Sequence, residues 1–148
     1  MRPEPTHAYE PGPMLPDGAS VRIGPSGAMS IGIVWIAALA ATQAVLAEDL
    51  WPLTVVAPTS AGLIVGALAR LSLGTAAIRG FVTAYLGFIV GTIVFGAIRY
   101  LPSRGDGWLL LVAGLLVGVV FGLLSGSLGA IGAIIASVTV KRLAPPRP

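Results

Sequence analysis

Seven of the polar side chains within otherwise apolar stretches are candidates for a functional role inside a membrane, and their chemistry is the first place to look for a function. They are one amide and six hydroxyls: Gln43, Thr59, Ser60, Thr83, Thr92, Ser125 and Ser127. Hydrogen-bonding groups that converge inside a membrane can line a path for an uncharged solute. Ser and Thr can also bond to carbonyls of their own helix, which is the simpler explanation of most of these hydroxyls. The candidates for a polar path are Gln43, Thr59, Ser60 and Ser125.

The sequence offers little for catalysis or metal binding. Its only histidine is His7, it has no cysteine, and all six acids fall outside the apolar stretches. A nucleophilic triad, a thiolate centre and a cluster of metal-ligating side chains therefore have no basis in the pattern. Glu48 and Asp49 could hold a cation weakly at a surface, but a solvated loop explains them better. We expect no enzymatic activity, no cofactor and no metal.

Glycines that recur four residues apart form the clearest spacing in the sequence. Small residues at this interval share one helix face and let a neighbouring backbone approach closely in lipid. Because glycine disfavours a helix by roughly 1 kcal/mol relative to alanine, a run in register indicates close packing. The glycines predicted to pack helices are Gly62, Gly66, Gly87, Gly91, Gly114, Gly118, Gly122 and Gly126.

The run from Gly114 to Gly126 permits two arrangements. It could join copies of the chain into a homo-oligomer around a pore, or it could pack against other helices of the same chain, which we favour. Past Gly126 the small face continues through Gly129 and Gly132, but the four-residue interval is lost, so the pattern predicts close packing there less strongly. Three similar glycine pentads begin at 62, 87 and 114, and they fit either a weak internal repeat or composition alone.

The elements that must position these residues are membrane helices. The chain of 148 residues is 55% hydrophobic and only 10% charged, whereas soluble domains carry about 25% charged residues. Its charges lie in the tails or at the ends of apolar runs, where a bilayer tolerates them. We predict an all-α integral membrane bundle of four transmembrane helices over residues 29–47, 52–73, 76–98 and 108–140. The domains are a disordered, proline-rich cytoplasmic tail (1–25), the four-helix domain (26–142) and a second disordered tail (143–148).

Two of the predicted helices have irregular features. Pro58 falls inside the second helix, which we expect to begin near Pro52 and to be kinked or loosened in its first two turns. Gly74 and Thr75 are the expected caps of the tight turn into the third helix. The last apolar run has 33 residues (108–140), or about 50 Å as one helix, well beyond a core of about 30 Å. It either overhangs the membrane or breaks near residues 125–129 into a re-entrant hairpin.

Positive charges favour four crossings with both termini in the cytoplasm, because Lys and Arg concentrate on the cytoplasmic side. Four crossings place six bases together: Arg22, Arg70, Arg79, Lys141, Arg142 and Arg147. Only Arg99 and Arg104 then fall on the other side, and a fifth crossing would weaken this asymmetry. We expect a multi-pass protein of the cell membrane. Its partners would be the lipid bilayer and either further copies of the chain, as a homo-oligomer, or other membrane subunits.

The net charge of +3 does not indicate a nucleic-acid partner, because the sequence has no basic patch with interleaved aromatic residues. We expect a non-enzymatic protein with a structural or assembly role, or an accessory subunit, packed through its glycine faces. The alternative is a small channel or transporter with an uncharged, glycine-lined path.

Two family resemblances accompany these patterns. The segment from Gly62 to Ile98, with its glycine pairs and Arg70, resembles the small transglycosylase-associated membrane proteins, although Ser72-Leu-Gly74 replaces the proline-glycine turn of that family. The whole chain resembles uncharacterised four-helix membrane proteins of archaea. That resemblance rests on two prolines before a glycine-rich second helix, a tight second hairpin and a long last helix ending in two bases: Pro52, Pro58, Lys141 and Arg142. Neither resemblance implies an established activity.

Overall fold

The computed structural model describes residues 23–46, 52–69, 71–102 and 107–143 of the chain. Within these ranges the fold is all-α, as predicted, with four helices and no strand. The helices are α1 (Pro25–Leu46), α2 (Pro52–Ala69), α3 (Leu73–Arg99) and α4 (Gly107–Leu143). Of the two predicted tails, residues 1–22 and 144–148 lie outside the described ranges.

Three of these helices, α1, α3 and α4, are long and apolar enough to cross a membrane. The fourth, α2, has 18 residues, or about 27 Å, slightly less than the roughly 30 Å of a hydrocarbon core. The predicted second helix continued to residue 73, which is wrong, because α2 ends at Ala69 and α3 already begins at Leu73.

The start of α3 differs from the prediction because another residue caps it. Ser72 has an extended backbone, and its hydroxyl accepts a hydrogen bond from the backbone N–H of Thr75 at 3.5 Å. A hydroxyl that reaches the amide three residues onward satisfies one of the free donors of a helix start. The predicted caps Gly74 and Thr75 are therefore wrong, since both lie in the first turn of α3.

Prolines act differently in α1 and α2. Pro25 begins α1, four residues before the predicted start at Met29, because a proline suits the first helical position. Pro58 lies inside α2, which runs through it as a single helix, as predicted. The hydroxyls of Thr59 and Ser60 donate to carbonyls of α2 around this proline, at 2.8 and 2.9 Å.

The long last run forms one unbroken helix. α4 has 37 residues, which makes it about 55 Å long, and residues 125–129 stay helical. Of the two alternatives left open by the sequence, the structure has the continuous helix rather than the hairpin. Because α4 is about twice as long as α2, part of α4 lies beyond the level of α2 at each end of the bundle.

Successive helices run in opposite directions. Gly62 and Gly66 of α2 meet Gly129 and Ala133 of α4 in the same order, so these two helices are parallel. Along α3 and α4 the order is reversed, since Gly80 of α3 meets Gly129 and the later α3 residue Gly96 meets the earlier α4 residue Leu111.

The helices α1 and α3 are parallel as well, because Gly32 and Ala40 of α1 meet Thr83 and Gly91 of α3 in order. Within the described ranges α1 and α4 do not contact each other, and each packs on both α2 and α3. The start of α1 and the end of α4 therefore lie at the same end of the bundle. We call this the basic end, after Arg79, Lys141 and Arg142, and we call the opposite end, with Arg99, Tyr100 and Trp108, the aromatic end.

Candidate functional site

Among the described glycines, the shortest distance from an added Cβ atom to another helix occurs where α4 passes α2 and α3. A Cβ atom added at Gly62 of α2 would collide with the carbonyl oxygen of Gly129 on α4. A Cβ added at Gly80 of α3 would lie 2.6 Å from that same oxygen, a distance that real Cβ atoms essentially never show. Three backbones therefore meet here because their side chains are hydrogen atoms. We call Gly62, Gly80 and Gly129 the glycine junction.

The seam between α2 and α4 continues from the glycine junction towards the basic end. A Cβ added at Gly66 would collide with the carbonyl oxygen of Ala133, and one added at Gly132 would collide with that of Thr59. The buried hydroxyl of Ser137 also donates to the carbonyl oxygen of Gly66 at 3.4 Å. Backbone thus packs directly on backbone along this seam, which is how small residues join helices in lipid.

The predicted glycine run of α4 faces α3 of the same chain, where it meets aromatic side chains. A Cβ added at Gly126 would lie 2.7 Å from Cε2 of Phe81, and one added at Gly122 would lie 3.0 Å from Cε2 of Tyr85. The two rings are stacked, with centroids 6.1 Å apart. These two glycines make room for a pair of aromatic rings rather than for a second copy of the chain.

Towards the aromatic end the same run packs less closely. A Cβ added at Gly118 would lie 3.2 Å from the hydroxyl oxygen of Thr92, whereas one added at Gly114 would have its nearest neighbour at 4.0 Å. Close packing therefore increases from Gly114 to Gly129. Beyond Gly126 the sequence pattern is a weaker predictor of close packing, yet α4 has very close contacts at Gly129, where the four-residue interval has already shifted.

The glycine pair of α3 faces α1. A Cβ added at Gly87 would lie 2.6 Å from Cδ1 of Ile36, and one added at Gly91 would lie 3.3 Å from the Cβ of Ala40. The three glycine pentads thus meet different partners: backbone of α4, side chains of α1, and a threonine of α3. Such different contacts give an internal repeat no structural support.

Four further glycines with close interhelical contacts were not among the predicted packing residues: Gly32, Gly80, Gly129 and Gly132. The sequence does contain a signal for three of them. An alanine follows Gly80, Gly129 and Gly132 four residues later, so all three belong to small-residue pairs once alanine is counted with glycine.

Two of the four polar-path candidates, Thr59 and Ser60, face different helices. The indole N–H of Trp35 on α1 donates to the hydroxyl of Ser60 at 2.9 Å, and this hydroxyl donates in turn to the carbonyl oxygen of Ala57. Thr59 bonds to its own helix through Val55, and its backbone carbonyl faces α4. Ser60 therefore links α1 to α2, while Thr59 lies on the side of α4.

The third candidate, Ser125, is one of two buried hydroxyls without a partner in the described ranges. Ser125 is 3% exposed and Thr83 is 0% exposed, and neither side-chain oxygen forms a hydrogen bond. Both lie at one level of the bundle, because Thr83 falls between Phe81 and Tyr85 while Ser125 falls between their partner glycines on α4. The methyl group of Thr83 contacts Gly32 of α1. An unpartnered buried hydroxyl is destabilising by roughly 1–3 kcal/mol.

The fourth candidate, Gln43, borders a cavity of about 230 Å³ between α1, α2 and α3. Its lining runs from Ile36 to Gln43 on α1, from Leu53 to Pro58 on α2, and from Phe88 to Phe95 on α3. This cavity lies towards the aromatic end, and neither Ser60 nor Ser125 lines it. The structure therefore does not bring the four polar-path candidates together into one lining.

These contacts define an all-α bundle whose successive helices are antiparallel, whose helices pack through glycine and alanine, and in which three helices could cross a membrane. No protein-family model matches the sequence, and neither a curated protein nor a solved structure matches it.

Proposed function

We propose that this chain is a multi-pass protein of the cell membrane with a non-enzymatic, structural or assembly role. The observation that carries the proposal is the use of the glycine faces inside the bundle, above all at the glycine junction. The outward surface is formed instead by large aliphatic and aromatic side chains, such as Val34, Leu116, Val120 and Leu124, each more than half exposed. A surface of this kind suits contact with lipid and with neighbouring membrane subunits.

The placement of the polar residues supports this proposal over a channel. A conducting path needs hydrogen-bonding groups that follow one another along one lining. Here Ser60 bonds towards α1, Thr59 lies on the side of α4, and Gln43 borders a separate cavity. At the glycine junction the backbones of α2, α3 and α4 pack directly on one another, so the described glycines at that level face backbone rather than an open path.

The orientation follows from the charges. Counting Arg70 and Arg22 from the sequence, the basic end carries most of the bases, so it faces the cytoplasm in our proposal. We expect a reporter fused after Pro148 to lie on the cytoplasmic side of the membrane. A reporter inserted at Gly105 should lie on the opposite side. If both reporters lay on the same side of the membrane, α4 would not cross it once, which would contradict four crossings. A C-terminal reporter outside the cell would contradict the proposed orientation.

Transport and assembly can be separated with purified protein. We expect liposomes that contain the chain to be no more permeable to ions and small neutral solutes than empty liposomes. We also expect its mass in nanodiscs, or the material that co-purifies from native membranes, to reveal further copies or other subunits. Solute flux that changes in Gln43→Leu or Ser125→Ala would contradict the structural role. A single chain without any associated subunit would contradict the assembly role.

A further inference from the structure

The cavity between α1, α2 and α3 lies beside the first turns of α2. Trp35 of α1 bonds to Ser60 of α2. Eight residues from this contact towards the aromatic end lie Gln43 on α1 and Pro52 on α2. Since Pro52 begins α2, this helix starts at the level of Gln43. The cavity therefore extends from the level of the first residues of α2 inward to Ile36 of α1.

The depth of the cavity matches the boundary of a membrane. Gln43 lies three residues before the end of α1, so its amide is about 5 Å from the end of the helix. Ile36, at the other limit of the α1 lining, is seven residues deeper, or about 10 Å. Tyr100 and Trp108, which belong to the same end, are residue types that concentrate at membrane interfaces.

The exposure of the lining side chains decreases along the cavity from the aromatic end inward. At the aromatic end its lining includes the exposed Thr54 and the half-buried Gln43 and Leu53. At the deeper end the lining includes the buried Ile36 and Pro58. A molecule would thus enter with its polar end outward and its apolar end inward.

The chemistry of the lining selects the polar end. Among the residues that the structure describes, no charged side chain lines the cavity, so none of them would supply a counter-ion for an ionised head group. The hydroxyl of Thr92 already donates to the carbonyl oxygen of Phe88 at 2.8 Å. Within the described part of the chain, the side-chain amide of Gln43 makes no hydrogen bond. An amide can both donate and accept, so it can bind one hydroxyl or one carbonyl group.

We propose that this cavity binds one uncharged amphiphile with a single apolar chain. The hydroxyl or carbonyl group of this ligand would bind to Gln43, and its apolar tail would point towards Ile36. A volume of about 230 Å³ lies below the roughly 300–1,000 Å³ of pockets for drug-sized ligands, so it suits one slender chain. Ligand sites of bundle proteins commonly lie between helices. The site would draw its ligand from the membrane.

The test uses the full chain in nanodiscs and a medium-chain primary alcohol that carries a photoreactive diazirine in its tail. We expect saturable labelling of peptides from the cavity lining, at about one probe per chain, and displacement by the unlabelled alcohol. The carboxylic acid of the same length, in its ionised form, should label the lining at least tenfold less. Labelling spread over the outer helix faces would overturn the proposal, as would preferential labelling by the acid.

Two variants on α1 provide a matched pair. Ala40 lines the cavity, whereas Ala38 is exposed on the outer face of the same helix. Ala40→Leu should reduce labelling of the lining at least tenfold because it fills the cavity, and Ala38→Leu should leave it unchanged. Equal labelling in the two variants would overturn the proposal. Gln43→Leu should weaken binding of the alcohol about threefold to tenfold, the loss expected for one hydrogen bond.

A variant that enlarges the cavity covers the case in which Ala40→Leu fails to fold. Phe95→Ala removes a ring from the lining near Gln43. It should admit a branched alcohol probe that does not label the lining of the unsubstituted chain. Exclusion of this probe from folded Phe95→Ala protein would contradict a ligand site at this position.

Discussion

Gly62→Ala is expected to destabilise the bundle by about 2 kcal/mol or more, although alanine is the better helix former. The new methyl group would occupy the position of the Gly129 carbonyl oxygen, so α2 and α4 would have to separate. Overpacking a well-packed interior costs typically about 1–3 kcal/mol, and here the neighbour is backbone, which cannot rotate away. The measurement is the free energy of unfolding in mixed micelles, followed by circular dichroism.

The matched control is Gly114→Ala in α4. Its added Cβ would lie 4.0 Å from Cγ2 of Thr92, an ordinary van der Waals contact, so mainly the helix propensity changes. We expect a gain in stability of up to about 1 kcal/mol. The same substitution should therefore have opposite signs at two glycines that look alike in the sequence. Similar effects at Gly62 and Gly114 would show that the glycine junction does not hold α2 to α4.

Thr83→Val is expected to stabilise the bundle by about 1 kcal/mol. Valine has nearly the same shape as threonine, and the hydroxyl that it removes is fully buried without a partner in the described ranges. Removing an unsatisfied polar group gives back the free energy lost when that group left water, which is roughly 1–3 kcal/mol. The midpoint temperature of thermal unfolding in detergent and the free energy of unfolding should both rise.

Thr92→Val provides the comparison for this prediction. The Thr92 hydroxyl donates to the carbonyl of Phe88, so its removal should be neutral or slightly destabilising. If Thr83→Val destabilises as much as Thr92→Val does, then the Thr83 hydroxyl has a partner in the membrane, for which a buried water is the natural choice.

The sequence predicts the helices well because each apolar run is long and is bounded by charges or turn residues. Helix ends are harder to predict, because a cap depends on which hydroxyl reaches a free amide. Ser72 and Thr75 are equally good capping residues in the sequence, and only the extended backbone of Ser72 distinguishes them in the structure. The continuity of α4 through Ser125 and Gly129 was also open, since both residues are compatible with a bend or a helix.

The sequence predicts which residues pack between helices more easily than it predicts the atoms that they contact. A four-residue interval defines a helix face, but it does not say whether that face meets a carbonyl, as at Gly62, or a ring, as at Gly126. Local bonding of hydroxyls was a sound expectation for Thr59 and Thr92, which bond to their own helices. Thr83 is an exception, because its hydroxyl has no partner within the described part of the chain although the same bond is sterically available to threonine in a helix.

The length of α4 has a consequence for the surrounding lipid. About 50 Å of continuous apolar helix exceeds a hydrocarbon core of about 30 Å. Such a helix must tilt, thicken the local bilayer or extend into the head groups. The side chains of Trp108 and Lys141 near its two ends favour the interfaces and restrict how far it can move along its axis.

The contacts at the glycine junction can form only after α4 has been synthesised. A ribosome produces α1, α2 and α3 before α4, yet Gly62 and Gly80 both rest on Gly129 of α4. Until α4 packs against α2 and α3, this backbone contact cannot form. A nascent chain arrested before residue 107 would therefore lack the contact that joins these three helices.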